Sequence, residues 1–200
     1  MYSAPSRPLL YFITDGRGEF LSQIEELGDS IDFLQIRERD LTSRELAAVT
    51  RSALQAAHPR VRVLVNDRAD VAVACGAHGV HLRSHAIAPA VLRRIVPAEF
   101  VISVSCHNLE DVVRAEREGA DMALLAPVFD TPGKGQPLGL ARFEKAARSV
   151  RIPVLALGGV TSADIARCVE AGAAGVAGIR LFTTAIQQER TRRSDRRSKA

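Results

Sequence analysis

Residues 61–82 read VRVLVNDRADVAVACGAHGVHL, and the fold turns on how this stretch divides. Residues 61–66 form a short apolar, β-branched run that ends abruptly in Asn66-Asp67. Such a run, with little polar alternation, suits a parallel strand covered on both faces. A helical segment follows and stops at Gly76, and Gly79 opens a second apolar run over 79–82. Glycine suits the left-handed turn that ends a helix, so the phrase Gly76-Ala77-His78-Gly79-Val80 joins a helix end to a strand. The same phrase returns, altered, as Gly119-Ala120-Asp121 and as Gly172-Ala173-Ala174-Gly175-Val176. One strand–helix–strand unit is therefore repeated along the chain.

Working outward, strands are predicted at 9–14, 32–36, 61–66, 79–82, 100–103, 122–126, 154–157 and 175–178. Helices lie between them. Thr42 with Glu45 three residues on is a capping-box pattern, followed by Leu46, Val49, Ala53 and Leu54 near helical spacing. Asn108 opens a second helix, with Asp111 in its first turn and Val112 and Ala115 facing inward. Thr161 or Ser162 opens a third, with Ile165, Cys168 and Val169 inward. Eight units of about two dozen residues fit a (β/α)8 TIM barrel in one domain, an α/β fold; an open doubly wound sheet is the alternative. The last unit looks abbreviated: after Ile179, Leu181, Phe182, Ala185 and Ile186 the apolar pattern stops. The expected division is a barrel over 1–186 and a basic, disordered tail over 187–200.

Charge supports that division. Six basic residues from Gln187 to Ala200 stand against Glu189 and Asp195, so the whole net charge of +4 falls in the tail. The body is neutral and the tail has no aromatic residue to stack bases, which weighs against nucleic acid as a partner. No apolar run approaches the ~18 residues of a membrane span, and the N-terminus lacks the pattern of a signal peptide. Cys75, Cys106 and Cys168 are odd in number and widely spaced, so a disulfide framework is not expected and a cytoplasmic setting is.

In a barrel the chemistry sits where strands run into the loops that follow them. Gln35, Arg37 and Arg39 alternate along an extended segment, so all three point to one side, and two guanidiniums there suit an anionic substrate. Asp67 could hold Mg²⁺, or could simply cap the helix that follows. His107 could shuttle a proton, or bond to backbone at a helix start. Thr131 and Lys134 lie in a Gly/Pro-rich loop that could close over a ligand or stay at the surface. Gly158-Gly159 and Gly178-Ile179 precede helices and could present N–H groups to a phosphate, with Arg180 adding a charged fork; tight turns and a surface arginine are the plainer alternatives. Cys75 and Cys168 read as core residues, whereas Cys106 lies close enough to the mouth to stay open.

The phrases YFITDGR (11–17), FLQIRERD (33–40), residues 61–82, ISVSCHNLEDVVRAEREGAD (102–121), APVFDTPGKGQPLGL (126–140) and PVLALGGVTSADIARCVEAGAAGVAGI (153–179) together resemble the thiamin phosphate synthase/TenI family, from about Leu9 to Ile186. The resemblance implies a (β/α)8 barrel, a homodimer, and one of two activities. The synthase branch joins a hydroxymethylpyrimidine diphosphate to a thiazole phosphate with Mg²⁺. The TenI branch isomerises a thiazole carboxylate phosphate by proton transfer without a cofactor. By resemblance, Gln35, Arg37 and Arg39 contact diphosphate or carboxylate, Asn66 contacts the pyrimidine and Asp67 the metal. Ser105, Thr131 and Lys134 line the mouth, Gly159 and Ile179 hold the thiazole phosphate, and His107 transfers a proton.

Several positions depart from the synthase pattern. Arginine stands at 39 in place of lysine, Gly133 in place of a threonine, and Arg180 in place of a phosphate-binding serine. Arg83-Ser84-His85-Ala86 stands where a second metal-binding aspartate is expected. These departures favour the TenI-like tautomerase reading, with Arg37, Arg39 and His107 catalytic. The synthase and a non-catalytic phosphate-ligand binder are the alternatives.

Overall fold

The computed structural model describes residues 7–16 and 20–197. Eight parallel strands close into a barrel in sequence order: β1 (Leu9–Ile13), β2 (Phe33–Ile36), β3 (Arg62–Asn66), β4 (Gly79–Leu82), β5 (Val101–Cys106), β6 (Met122–Leu125), β7 (Val154–Leu157) and β8 (Gly175–Gly178). The helices are α1 (Phe20–Leu27), α2 (Ser43–Ala56), α3 (Ala69–Cys75), α4 (Pro89–Leu92), α5 (Leu109–Arg117), α6 (Gly139–Ala147), α7 (Ile165–Glu170) and α8 (Arg180–Arg197). The protein is a (β/α)8 barrel. Among the described residues no helix is long and apolar enough to cross a membrane.

Two apolar layers hold it together. Leu9, Tyr11, Ile13, Phe33, Leu64, Met122, Leu124, Leu155 and Ala177 fill the barrel interior. The alternate strand residues, among them Phe12, Leu34, Val63, Val65, Val80 and Ile102, pack against the helices in the larger outer core. Both faces of each strand are thus buried, which is why the strands read as unbroken apolar runs. Stripping Leu, Ile or Phe from either layer costs about 2–5 kcal/mol by the usual large-to-small rule.

Local signals stand as read at two helix starts. Thr42 Oγ1 accepts from Glu45 N while Glu45 accepts from Thr42 N, closing the capping box of α2. Asn108 Oδ1 accepts from Asp111 N at 2.8 Å at the start of α5. Gly76 takes the left-handed conformation at φ +71 that ends α3.

Three readings need correction. β5 extends to Cys106 because its inward serines, Ser103 and Ser105, interrupt the apolar run without interrupting the backbone ladder. Val169 is 40% exposed, since α7 is short and turns Ile165 and Cys168, not Val169, to the core. The last helix is not abbreviated: α8 continues to Arg197, across the expected break at 186. Gln, Glu and Arg are good helix formers, no Gly or Pro intervenes after Gly178, and a helix already nucleated against the barrel propagates one residue at a time. Phe182 and Ile186 supply the buried anchor. Residues 198–200 lie outside the described residues.

Candidate active site

Inward-facing strand positions change character from bottom to top. Register pairs Gln35 with Leu64, Asn66 with His81, His81 with Ser103 and Ser105 with Leu124. The mouth at the C-terminal ends of the strands is therefore polar on the β2–β5 side, with Gln35, Asn66, His81 and Ser105, and apolar on the other, with Ile13, Leu124, Leu157 and Ala177. There a cavity of about 1070 Å³ opens.

The arc after β2 is built by alternation. Gln35 is 2% exposed, and its Nε2 donates to Asn66 Oδ1 at 2.9 Å while Oε1 has no partner. Arg37 and Arg39 line the cavity with it. Glu38 turns away, accepting from Thr14 Oγ1, and that buried hydroxyl in turn accepts from Arg37 N at 2.8 Å. This clamp fixes the direction of the segment. Burial, and then the neighbouring Arg39 guanidinium, lower the Arg37 pKa, but the group keeps its charge at neutral pH.

Asp67 is paired with an arginine and does not cap the helix that follows. It adopts φ +59, and its backbone N donates to His81 O at 2.8 Å. Its carboxylate is not at the cavity wall; Oδ2 accepts from both Nε and Nη2 of Arg83. It does not cap α3, whose N-cap residue is Arg68 without a side-chain bond. Arg83 does line the cavity. Among the described residues no group of three His, Cys, Asp or Glu side chains is arranged to hold a metal ion.

On the next arc, Ser105 and His107 line the cavity from β5 and its exit. His107 Nδ1 lies 2.9 Å from Ala126 O, so Nδ1 carries the donated proton and Nε2 keeps the lone pair in the neutral ring. Thr131 and Lys134 follow from the loop after β6. Thr131 Oγ1 donates to Phe129 O at 3.0 Å, and Lys134 N donates to Thr131 O at 3.0 Å, so the loop is internally tied. Gly158 and Gly159 take φ +91 and +68 after β7, beside Ile179 and Arg180 at the start of α8. The first N–H groups of a helix have no partner within it, so this corner is receptive to an anion.

The structure thus brings Gln35, Arg37, Arg39, Asn66, Ser105, His107, Thr131, Lys134, Gly159, Ile179 and Arg180 around one cavity, and leaves Asp67 behind Arg83. Cys106 is buried, and burial pushes its thiol up to about 12, which removes it from nucleophilic chemistry.

The residue that sequence reasoning passed over is His81. It is buried between two hydroxyls, with Nδ1 3.0 Å from Ser103 Oγ and Nε2 2.8 Å from Ser105 Oγ. Burial lowers its pKa to about 4; the Asp67 carboxylate opposes this and Arg37 adds to it. A neutral imidazole therefore fixes the Ser105 hydroxyl at the cavity wall. The signal was present, because Gly79 and His81 share the inward period of β4.

Comparison with known proteins fits this geometry. A sequence model described as thiamine monophosphate synthase (TMP-TENI) matches residues 10–182. The putative thiamine-phosphate synthase 2 of Aquifex aeolicus is 40% identical over 183 residues, covering 88% of this chain and 97% of that protein. The thiamine-phosphate synthase of Methanoculleus marisnigri is 37% identical over 177 residues, covering 84% of each. Among solved structures, the thiamine phosphate pyrophosphorylase from Pyrococcus furiosus superposes with a TM-score of 0.78 at 31% identity, covering 86% of this chain and 85% of that one.

Proposed function

The chain belongs to the thiamine monophosphate synthase family, and on that premise we propose that it couples a pyrimidine diphosphate to a thiazole phosphate with release of diphosphate. The observation that carries this reading is the distribution of positive charge around the cavity. Arg37, Arg39 and Arg83 gather on the β2–β4 side, while the glycine turn and Arg180 sit on the β7–β8 side. Two anion-receptive arcs suit two phosphorylated reactants, and three guanidiniums on one of them suit a group with more charge than a carboxylate. A cavity of about 1070 Å³ has room for both reactants together. The unpartnered Gln35 Oε1 suits an amino group on the pyrimidine, since a buried acceptor gains by finding a donor.

In this reading the protein aligns the two rings and meets the charge that grows on the departing diphosphate, with guanidiniums held in place before the reaction. The synthase branch implies Mg²⁺, but the residues here do not fit it. Asp67 is engaged by Arg83, no carboxylate follows β4 before Pro89, and no three-ligand cluster is arranged among the described residues.

One observation favours the tautomerase as a second reading. His107 Nε2 is left free to take a proton by the bond from Nδ1 to Ala126 O, and the ring lines the cavity. A paired assay separates the two. Purified protein is given pyrimidine diphosphate with thiazole phosphate, and separately a thiazole carboxylate phosphate in heavy water. We expect thiamin phosphate and diphosphate in the first and no ring-proton exchange in the second. Exchange without coupling, abolished by His107→Gln, overturns the synthase reading in favour of the tautomerase.

A further inference from the structure

We infer that Arg83, anchored by Asp67, is an anion-binding residue that takes a phosphoryl group of the diphosphate in place of a divalent metal ion, so that this site binds diphosphate without one. The inference rests on the reading above only for the identity of the anion.

The carboxylate and the guanidinium divide their surroundings unequally. The Asp67 side chain is 18% exposed and that of Arg83 66% exposed. Asp67 thus holds Arg83 by Nε and Nη2, and the Arg83 side chain lines the cavity. The anchor is itself fixed. Asp67 sits in a left-handed turn rarely taken by a residue with a side chain, tied to β4 through its N–H bond to His81 O. A guanidinium with one side spent on a half-buried carboxylate keeps Nη1 for an anion, which forms charge-assisted hydrogen bonds there.

Charge around the cavity points the same way. Among the described lining residues Asp130 is the one carboxylate, set against Arg37, Arg39, Arg83, Lys134 and Arg180. A divalent ion beside Asp67 would have to displace Arg83 and would then sit near Arg37 and Arg39 with a single carboxylate in support. Mg²⁺ there would draw the rest of its shell from water and from the diphosphate itself, and would first have to break the Asp67–Arg83 pair, so the guanidinium already in place has the advantage. A diphosphate meeting three guanidiniums already has the cations it needs.

Calorimetric titration with inorganic diphosphate tests this, first in EDTA and then with magnesium diphosphate in excess Mg²⁺. Wild type is expected to bind in EDTA, with Mg²⁺ tightening binding less than about 3-fold. Arg83→Gln, at an exposed position that leaves the circular dichroism unchanged, is expected to weaken binding about 10-fold or more, the size of a lost charge-assisted bond. Arg83→Asp places a second carboxylate beside Asp67, and its diphosphate binding is expected to become dependent on Mg²⁺.

Wild-type binding that requires Mg²⁺, binding that is undetectable in both buffers, or an Arg83→Gln variant that binds as wild type overturns the inference. Coupling that proceeds only with Mg²⁺ also overturns it and leaves the synthase reading standing. Diphosphate binding in EDTA without any coupling keeps the inference and removes the synthase reading.

Discussion

Gly159 shows how little freedom single residues have at the cavity. Its φ of +68 is a conformation that side chains resist, and a Cβ there would lie 2.5 Å from Asp130 O and 2.8 Å from Phe129 Cβ. The loop after β6 rests directly on this turn, through bonds such as Phe129 N to Gly158 O at 3.0 Å. Gly159→Ala therefore brings backbone strain and overpacking together, on the order of 3 kcal/mol, or ~6–12 °C in melting temperature for a chain of this size. Because the turn lines the cavity, affinity for inorganic phosphate should fall as well; a thermal melt and a calorimetric titration of one preparation read both effects. Other residues divide between the legible and the hidden. That Gln35, Arg37 and Arg39 share a side is readable from alternation. That Asp67 answers to Arg83, sixteen positions away, is not, because the pairing depends on where two separate turns meet.

At the scale of elements, helix starts are legible because their chemistry is local. Asn108 accepts from Asp111 N within three residues, and Asp111 Oδ2 accepts from His107 N at 3.0 Å. Asn108→Ala should cost about 1 kcal/mol, seen as a lower urea midpoint with an unchanged slope. Since the same turn holds the His107 backbone, a cost confined to stability would mean that the His107 ring is placed by Ala126 O alone. Elements mixing two demands are less legible. β5 serves both ladder and cavity, so its serines break the apolar pattern. The extent of α8 past Ile186 is set by backbone propensity, in a stretch whose sequence has no hydrophobic periodicity to read.

At the scale of the whole molecule, the polar top of the barrel sets the response to acid. His81 is neutral in the fold down to about pH 4, whereas an unfolded histidine titrates near 6.5. Between those values the unfolded chain binds the extra proton, so the contribution of this group is constant above about pH 6.5 and is lost on acidification toward pH 4. The loss from this group is on the order of 3 kcal/mol, and urea unfolding from pH 7.5 to 4.5 measures it. His81→Gln should flatten the slope even as it lowers stability at neutral pH; an unchanged slope would assign the acid loss to other groups, among them His78, whose pKa burial also lowers. The sequence by itself determined the eight repeated units, the closed parallel barrel and the side to which most candidate residues point, because periodic burial and local caps are written in neighbouring residues. Only the tertiary structure decided that His81 is fixed between two serines, that Arg83 stands in front of Asp67, and that the last helix runs on. Those outcomes depend on which residues of adjacent strands meet, and side-chain period carries direction but not the identity of the neighbour.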